Sequence, residues 1–142
     1  FHELKNVIFY GFLPKTDCLQ LCSKADLSIV PFRKSEISDT ICSRFVSSLS
    51  VATPVISFGE NAVSELVRAY SCGIILSHSN CSELPDFRNS SSTELISDLV
   101  VSISSQLSSL RSSARASAFE LFQSRFSKTA AETSLEKFFV DI

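Results

Sequence analysis

Short runs of β-branched and aliphatic residues alternate with amphipathic stretches of about ten residues over the first half of this chain, and that rhythm admits few folds. Four runs read as buried strands: Asn6 to Tyr10 (NVIFY), Leu27 to Pro31 (LSIVP), Pro54 to Ser57 (PVIS) and Gly73 to Leu76 (GIIL). Gly11 and Pro14 stop the first of them. A helix is expected from an N-cap at Thr16, carrying Cys18, Leu19, Leu21, Cys22 and Ala25 on one face, with Asp17 favourable in its first turn. A second helix passes through Phe45, Val46 and Leu49, and a third covers Asn61 to Tyr70. After His78 the pattern turns helical. Ser92 reads as an N-cap for a helix through Leu95, Leu99, Ile103 and Leu107, with further periodicity from Leu110 to Leu121 and from Thr129 to Phe139. Strands separated by helices imply βαβ units. The expectation is an α/β fold: a Rossmann-like parallel sheet with helices on both faces and a helical C-terminal flank.

The chain has 142 residues, which is one domain, long enough to bury about two thirds of its unfolded surface without disulfide or metal support. With 44% hydrophobic residues, 20% charged and a net charge of −2, it lies in the ordinary globular range. No apolar run approaches the about 20 residues of a bilayer span. No basic run offers a nucleic-acid footprint, so nucleic acid is not an expected partner. The five cysteines lack Cys-x-x-Cys spacing and have only His2 and His78 as companions, which argues for free thiols in a reducing cytoplasm and against a metal site. Serine runs at 90–92 and at 104, 105, 108 and 109 fall on polar positions of amphipathic helices and read as solvated faces. The first residue is Phe1, and the chain is expected to be part of something longer.

Open parallel sheets bind ligands beyond the carboxyl ends of their strands, which directs attention to the loops Gly11 to Lys15, Phe32 to Cys42, Ser57 to Val63 and Ser77 to Pro85. The second is long and polar and feeds a helix N-terminus at Cys42 and Ser43, with Arg44 in its first turn. Unpaired backbone N–H groups beside a guanidinium suit a phosphate or diphosphate. An ordinary capped helix explains the same residues. Asp39, on the loop just before, is the carboxylate of interest. Three widely spaced glycines exclude both glycine-rich phosphate loops, and each histidine reads as a surface or loop residue.

Several stretches together resemble the C-terminal half-domain of group 1 (family 4) retaining glycosyltransferases of the GT-B architecture. These are NVIFYGFLP, KADLSIVPF, SRFVSSLSVATPVIS and SELVRAYSCGIIL, followed by LRSSARASAFELFQSRFS and LEKFF. The resemblance covers nearly the whole chain, so that residues 1–142 would be part of a nucleotide-sugar-binding domain, incomplete at its N-terminus and without the N-terminal acceptor domain. It implies that Asp39 and Ser47 stand where the family has two glutamates, the first on the donor sugar and the second on the ribose. Thr40, Ile41, Cys42 and Ser43 replace the glycine-rich approach between them, Ser43 and Arg44 resemble a Ser-Lys pair used by part of the family, and Ala52 stands where glycine is usual. The loop of Phe12, Leu13 and Lys15 matches the one that contacts the base. Donor-binding residues are therefore expected at Phe12, Leu13, Lys15, Asp39, Thr40, Ser43, Arg44 and Ser47, with no catalytic residue assigned.

The resemblance implies retaining transfer of a sugar from a nucleotide diphosphate to a glycan or lipid-linked acceptor, with no metal and no cofactor beyond the donor. The location would be cytoplasmic, with a peripheral position at the inner face of a membrane as an option for the full-length protein. Ser47 and Ala52 favour the alternative of a non-catalytic binding or scaffold module. The family's phosphate-neutralising Arg and Lys precede the matched stretch. In its strand order of 3-2-1-4-5-6 the four strands here would be the third to sixth, leaving a gap of about 10 to 15 Å beside Asn6 to Tyr10. Preceding residues, another chain, or a different order would resolve that gap. The fragment alone is expected to dimerise by sheet pairing or strand exchange, or to aggregate, and to lack transferase activity.

Overall fold

The computed structural model describes residues 5–30, 40–76, 100, 101, 103–107, 110 and 113–140. Its centre is a three-stranded parallel sheet of β1 (Ser28–Val30), β2 (Val55–Phe58) and β3 (Gly73–Leu76), paired in sequence order. Ile29 lies opposite Ile56 and Ile56 opposite Ile74, so one register row of isoleucines crosses the sheet. Helix α1 (Lys15–Lys24) precedes β1, α2 (Ser43–Ser50) links β1 to β2, and α3 (Ala62–Tyr70) links β2 to β3. The helical flank comprises helical residues at 103–107, then α4 (Ser113–Leu121), a π-helical turn over Phe122–Phe126, and α5 (Lys128–Val140).

Side chains alternate across the strands and build two cores. On one face Val30 and Val55 pack with Phe45 and Leu49 of α2, Val63 and Val67 of α3, and Ala118 and Leu121 of α4. On the other, Ile56, Ile74 and Leu76 pack with Ile103 and Leu110. Helical residues thus pack on both faces of the sheet, as the sequence predicts, while Ile29 on β1 stays exposed. Helix α2 buries Phe45 and Leu49 at i, i+4 spacing with Val46 half-buried beside them. Phe126 from the π turn meets Phe45 edge to face at 6.2 Å.

Local chemistry fixes the ends of these elements. Asn61 caps α3: its Oδ1 accepts from the Ser64 N–H at 2.9 Å while its Nδ2 donates to the Phe58 carbonyl. Gly73 has no room for a side chain, because a Cβ there would stand 2.0 Å from the Val55 carbonyl oxygen. Ala52 has a φ of 57°, in the left-handed region that glycine adopts freely. Between α2 and β2 the chain therefore makes a glycine-type turn with an alanine. Arg115 of α4 donates to the carbonyls of Ser23, Ala25 and Ala52, and so ties the C-terminal ends of α1 and α2 to the helical flank.

Two expectations need correction. Asn6 to Tyr10 is not a strand: no ladder includes these residues, and Val7, Ile8, Phe9 and Tyr10 are exposed. A strand's backbone groups need a neighbouring strand to pair with, and among the described residues the sheet consists of β1, β2 and β3 without this run. Secondly, α1 starts at Lys15, one residue before the expected cap. The Pro14 carbonyl receives the N–H groups of Asp17 and Cys18 at 3.1 Å, and Thr16 lies inside the helix with its hydroxyl on Asp17. Pro14 is itself the N-cap, and its carbonyl takes the first helical N–H groups without a side-chain cap hydrogen bond. The expected start of the Leu95 helix lies outside the described residues, whereas 100, 101 and 103–107 are helical.

Candidate functional site

Helices α1 and α2 pack side by side next to β1, and the groove between them opens into a pocket of about 250 Å³. Lys15, Cys18, Leu19 and Cys22 line it from α1, Arg44, Ser47 and Ser48 from α2, and Ser28 from β1. Lys15 is the first residue of its helix and Arg44 the second of its own, so two positive side chains sit in the first turns of two helices whose N-terminal N–H groups also favour anions. Among the described lining residues the charged ones are both positive, which favours an anion over a cation in the pocket.

Below the cations the pocket wall is a hydrogen-bonded cluster. The Cys22 thiol donates to Ser48 Oγ at 3.7 Å, and Ser48 Oγ lies 2.8 Å from Ser28 Oγ and 2.9 Å from the Arg44 carbonyl. This cluster joins α1, α2 and β1. Thr53, fully buried, strengthens the same junction by donating to the Cys22 carbonyl at 2.8 Å. The polar groups under the pocket are thus satisfied by one another, and the cations above them remain exposed.

Of the expected donor-binding residues, Lys15, Arg44 and Ser47 are brought together in this pocket. Phe12 is fully exposed, and Leu13 is half-buried with its carbonyl accepting from the Cys18 thiol at 3.8 Å. Thr40 and Ser43 are exposed beside α2 and do not line the pocket. Asp39 lies outside the described residues. The position of the pocket also differs from expectation. It extends from the first turn of α2 down to Ser28, the first residue of β1, and so runs along the flank of the sheet.

Sequence reasoning missed Cys18, Leu19, Cys22, Ser28 and Ser48 as lining residues. The i, i+4 spacing of Cys18 with Cys22 and of Arg44 with Ser48 places each pair on one helix face, which is the signal that was available. The four described cysteines are free thiols: Cys18 exposed, Cys22 and Cys42 half-buried, Cys72 buried. Burial pushes the Cys72 thiol up to about 11. Among the described residues no three metal-ligating side chains converge, and no helix is long and apolar enough to cross a membrane. Comparison with protein-family models, curated proteins and solved structures finds no match to this chain.

Proposed function

We propose that this chain is the donor-binding part of a glycosyltransferase that takes a sugar from a nucleotide diphosphate and passes it, with retention, to a glycan or lipid-linked acceptor. The observation that carries the reading is the convergence of Lys15 and Arg44, from two helix N-termini, on one pocket with no carboxylate among its described lining residues. Two further features support it. The consecutive parallel pairing of β1, β2 and β3 fits the second half of a doubly wound sheet, and Ala52 keeps the left-handed backbone at the position where the family's glycine stands.

Transfer of this kind is catalysed largely by charges aimed at the departing diphosphate, which are worth more in the transition state than in the ground state. Arg44, Lys15 and the backbone N–H groups at the start of α2 would supply that field, with Asp39 holding sugar hydroxyls. The test is titration of the full-length protein with nucleoside diphosphates. Saturable binding is expected, weakened roughly tenfold to a hundredfold by Arg44→Ala through loss of a charge-assisted hydrogen bond. Absence of saturable binding, or an affinity indifferent to Arg44, would retire the reading.

A second reading is favoured by the absence of a carboxylate at Ser47, the position of the family's ribose-binding glutamate. Here the domain keeps an anion pocket and serves as a non-catalytic binding or scaffold module. Nucleotide binding by the full-length protein without turnover of any donor sugar would select it.

A further inference from the structure

Helix α1 carries Lys15 as its first residue and buries no side chain, so its place beside α2 rests largely on polar bonds. Those bonds gather at its C-terminal end. The Cys22 carbonyl accepts from Thr53, the Cys22 thiol meets Ser48, and Arg115 of α4 donates to the Ser23 carbonyl at 3.3 Å and to the Ala25 carbonyl. The same guanidinium donates at 3.3 Å to the carbonyl of Ala52, just after α2. Arg115 thus holds the ends of both pocket helices from a third element, and a planar fork of five donors suits that task. Toward its N-terminal end α1 is bonded locally, through the Pro14 carbonyl and through the Cys18 thiol on the Leu13 carbonyl.

We propose that Arg115 is a positioning residue for the pocket: it latches the C-terminal end of α1 to α4 and to the end of α2, and so keeps Lys15 across the pocket from Arg44. The ten residues of α1 span about 15 Å, so a tilt of about 15° about the latched end moves Lys15 by about 4 Å. That exceeds the length of a hydrogen bond, and it would take Lys15 out of reach of a ligand held by Arg44. The consequence for ligand binding rests on the donor reading, whereas the position of α1 does not.

Hydrogen exchange of the full chain tests the latch without any ligand. Arg115→Met keeps the apolar stem and removes every donor, so the fold should survive. The amides of α1 should then exchange at least tenfold faster, while those of β2 and β3 keep their protection. Arg115→Lys, with donors on a flexible stem in place of the fork, should recover part of that protection. Unchanged exchange in α1, or an equal gain in β2 and β3, would overturn the proposal.

Titration with uridine, guanosine and adenosine diphosphates reads the same latch at the site. Arg115→Met should weaken binding roughly tenfold, as Lys15→Gln should, and the two changes together should weaken it no further than either alone. Additive losses would mean that Arg115 does not act through Lys15, and would overturn the proposal as well. If none of the three binds the unaltered chain, the donor reading fails and the exchange measurement still decides the latch.

Discussion

The unit β2–α3–β3 and the segment that runs from Val7 through α1 to β1 carry the same kind of sequence, yet they fold to different degrees. In the first, Val55, Ile56, Val63, Val67 and Ile74 are all buried, Asn61 caps the helix, and each strand has a parallel neighbour. In the second, α1 buries no residue, Val7 to Tyr10 form no ladder, and Ile29 is 57% exposed although it lies in the same row as Ile56 at 4% and Ile74 at 1%. Apolar patterning thus specifies which face a residue would present, and a neighbouring strand or helix decides whether that face is covered. The pocket between α1 and α2 borders the less buried region. Residues there are held by hydrogen bonds among Cys22, Ser28, Ser48 and Thr53 more than by apolar burial.

The sharpest way to break the comparison is to truncate one large side chain in each region. Ile74→Ala should destabilise the fold by about 2 to 5 kcal/mol, because it empties a buried aliphatic site on β3. Ile8→Ala, at a position 70% exposed, should change stability by less than about 0.5 kcal/mol. Chemical denaturation of both variants reads the difference; similar losses would mean that Asn6 to Tyr10 packs as a strand in solution.

Alkaline pH should act on the buried region through Cys72. The Cys72 thiol titrates near 9 when unfolded and near 11 in the fold, so the folded chain holds its proton longer. Stability is complete below pH 9 and declines as pH rises toward 11, by on the order of 2 kcal/mol at most. Cys72→Ala should flatten this part of the pH profile. An unchanged slope in Cys72→Ala would assign the decline to other groups.

Capping separates the two helices by a smaller margin. Asn61→Ala should cost about 1 kcal/mol by removing the bonds to Ser64 and Phe58. Thr16→Ala should be near neutral, since the entry of α1 rests on the Pro14 carbonyl. Thermal unfolding of the pair checks this, and equal losses would restore Thr16 as a cap. The smallest expected effect has the opposite sign. Ala52→Gly should stabilise by roughly 0.5 to 1 kcal/mol, because glycine adopts a φ of 57° without strain.

Period and spacing placed β1, β2, β3, α2 and α3 within a residue or two, since each has a neighbour that rewards its apolar face. Arg44 is legible from its place in the first turn of its helix, Lys15 and Ser47 only from the resemblance, and the three share the pocket. Where the reading failed, the missing information was non-local. NVIFY has the composition of a strand, but strand formation depends on a partner that the run itself does not contain. The π turn at Phe122–Phe126 likewise follows no simple period, and its Phe126 is placed by contact with Phe45.

The amino-acid sequence by itself determined the α/β class, the order of the elements and the faces they would bury, because these follow from local propensity and from the period of apolar residues. Tertiary structure alone decided that Cys18, Cys22, Ser28 and Ser48 meet around Lys15 and Arg44, and that Arg115, some ninety residues beyond α1, closes the ends of α1 and α2. Those contacts are made by side chains far apart in the chain, and their geometry exists only once the helices have packed against the sheet.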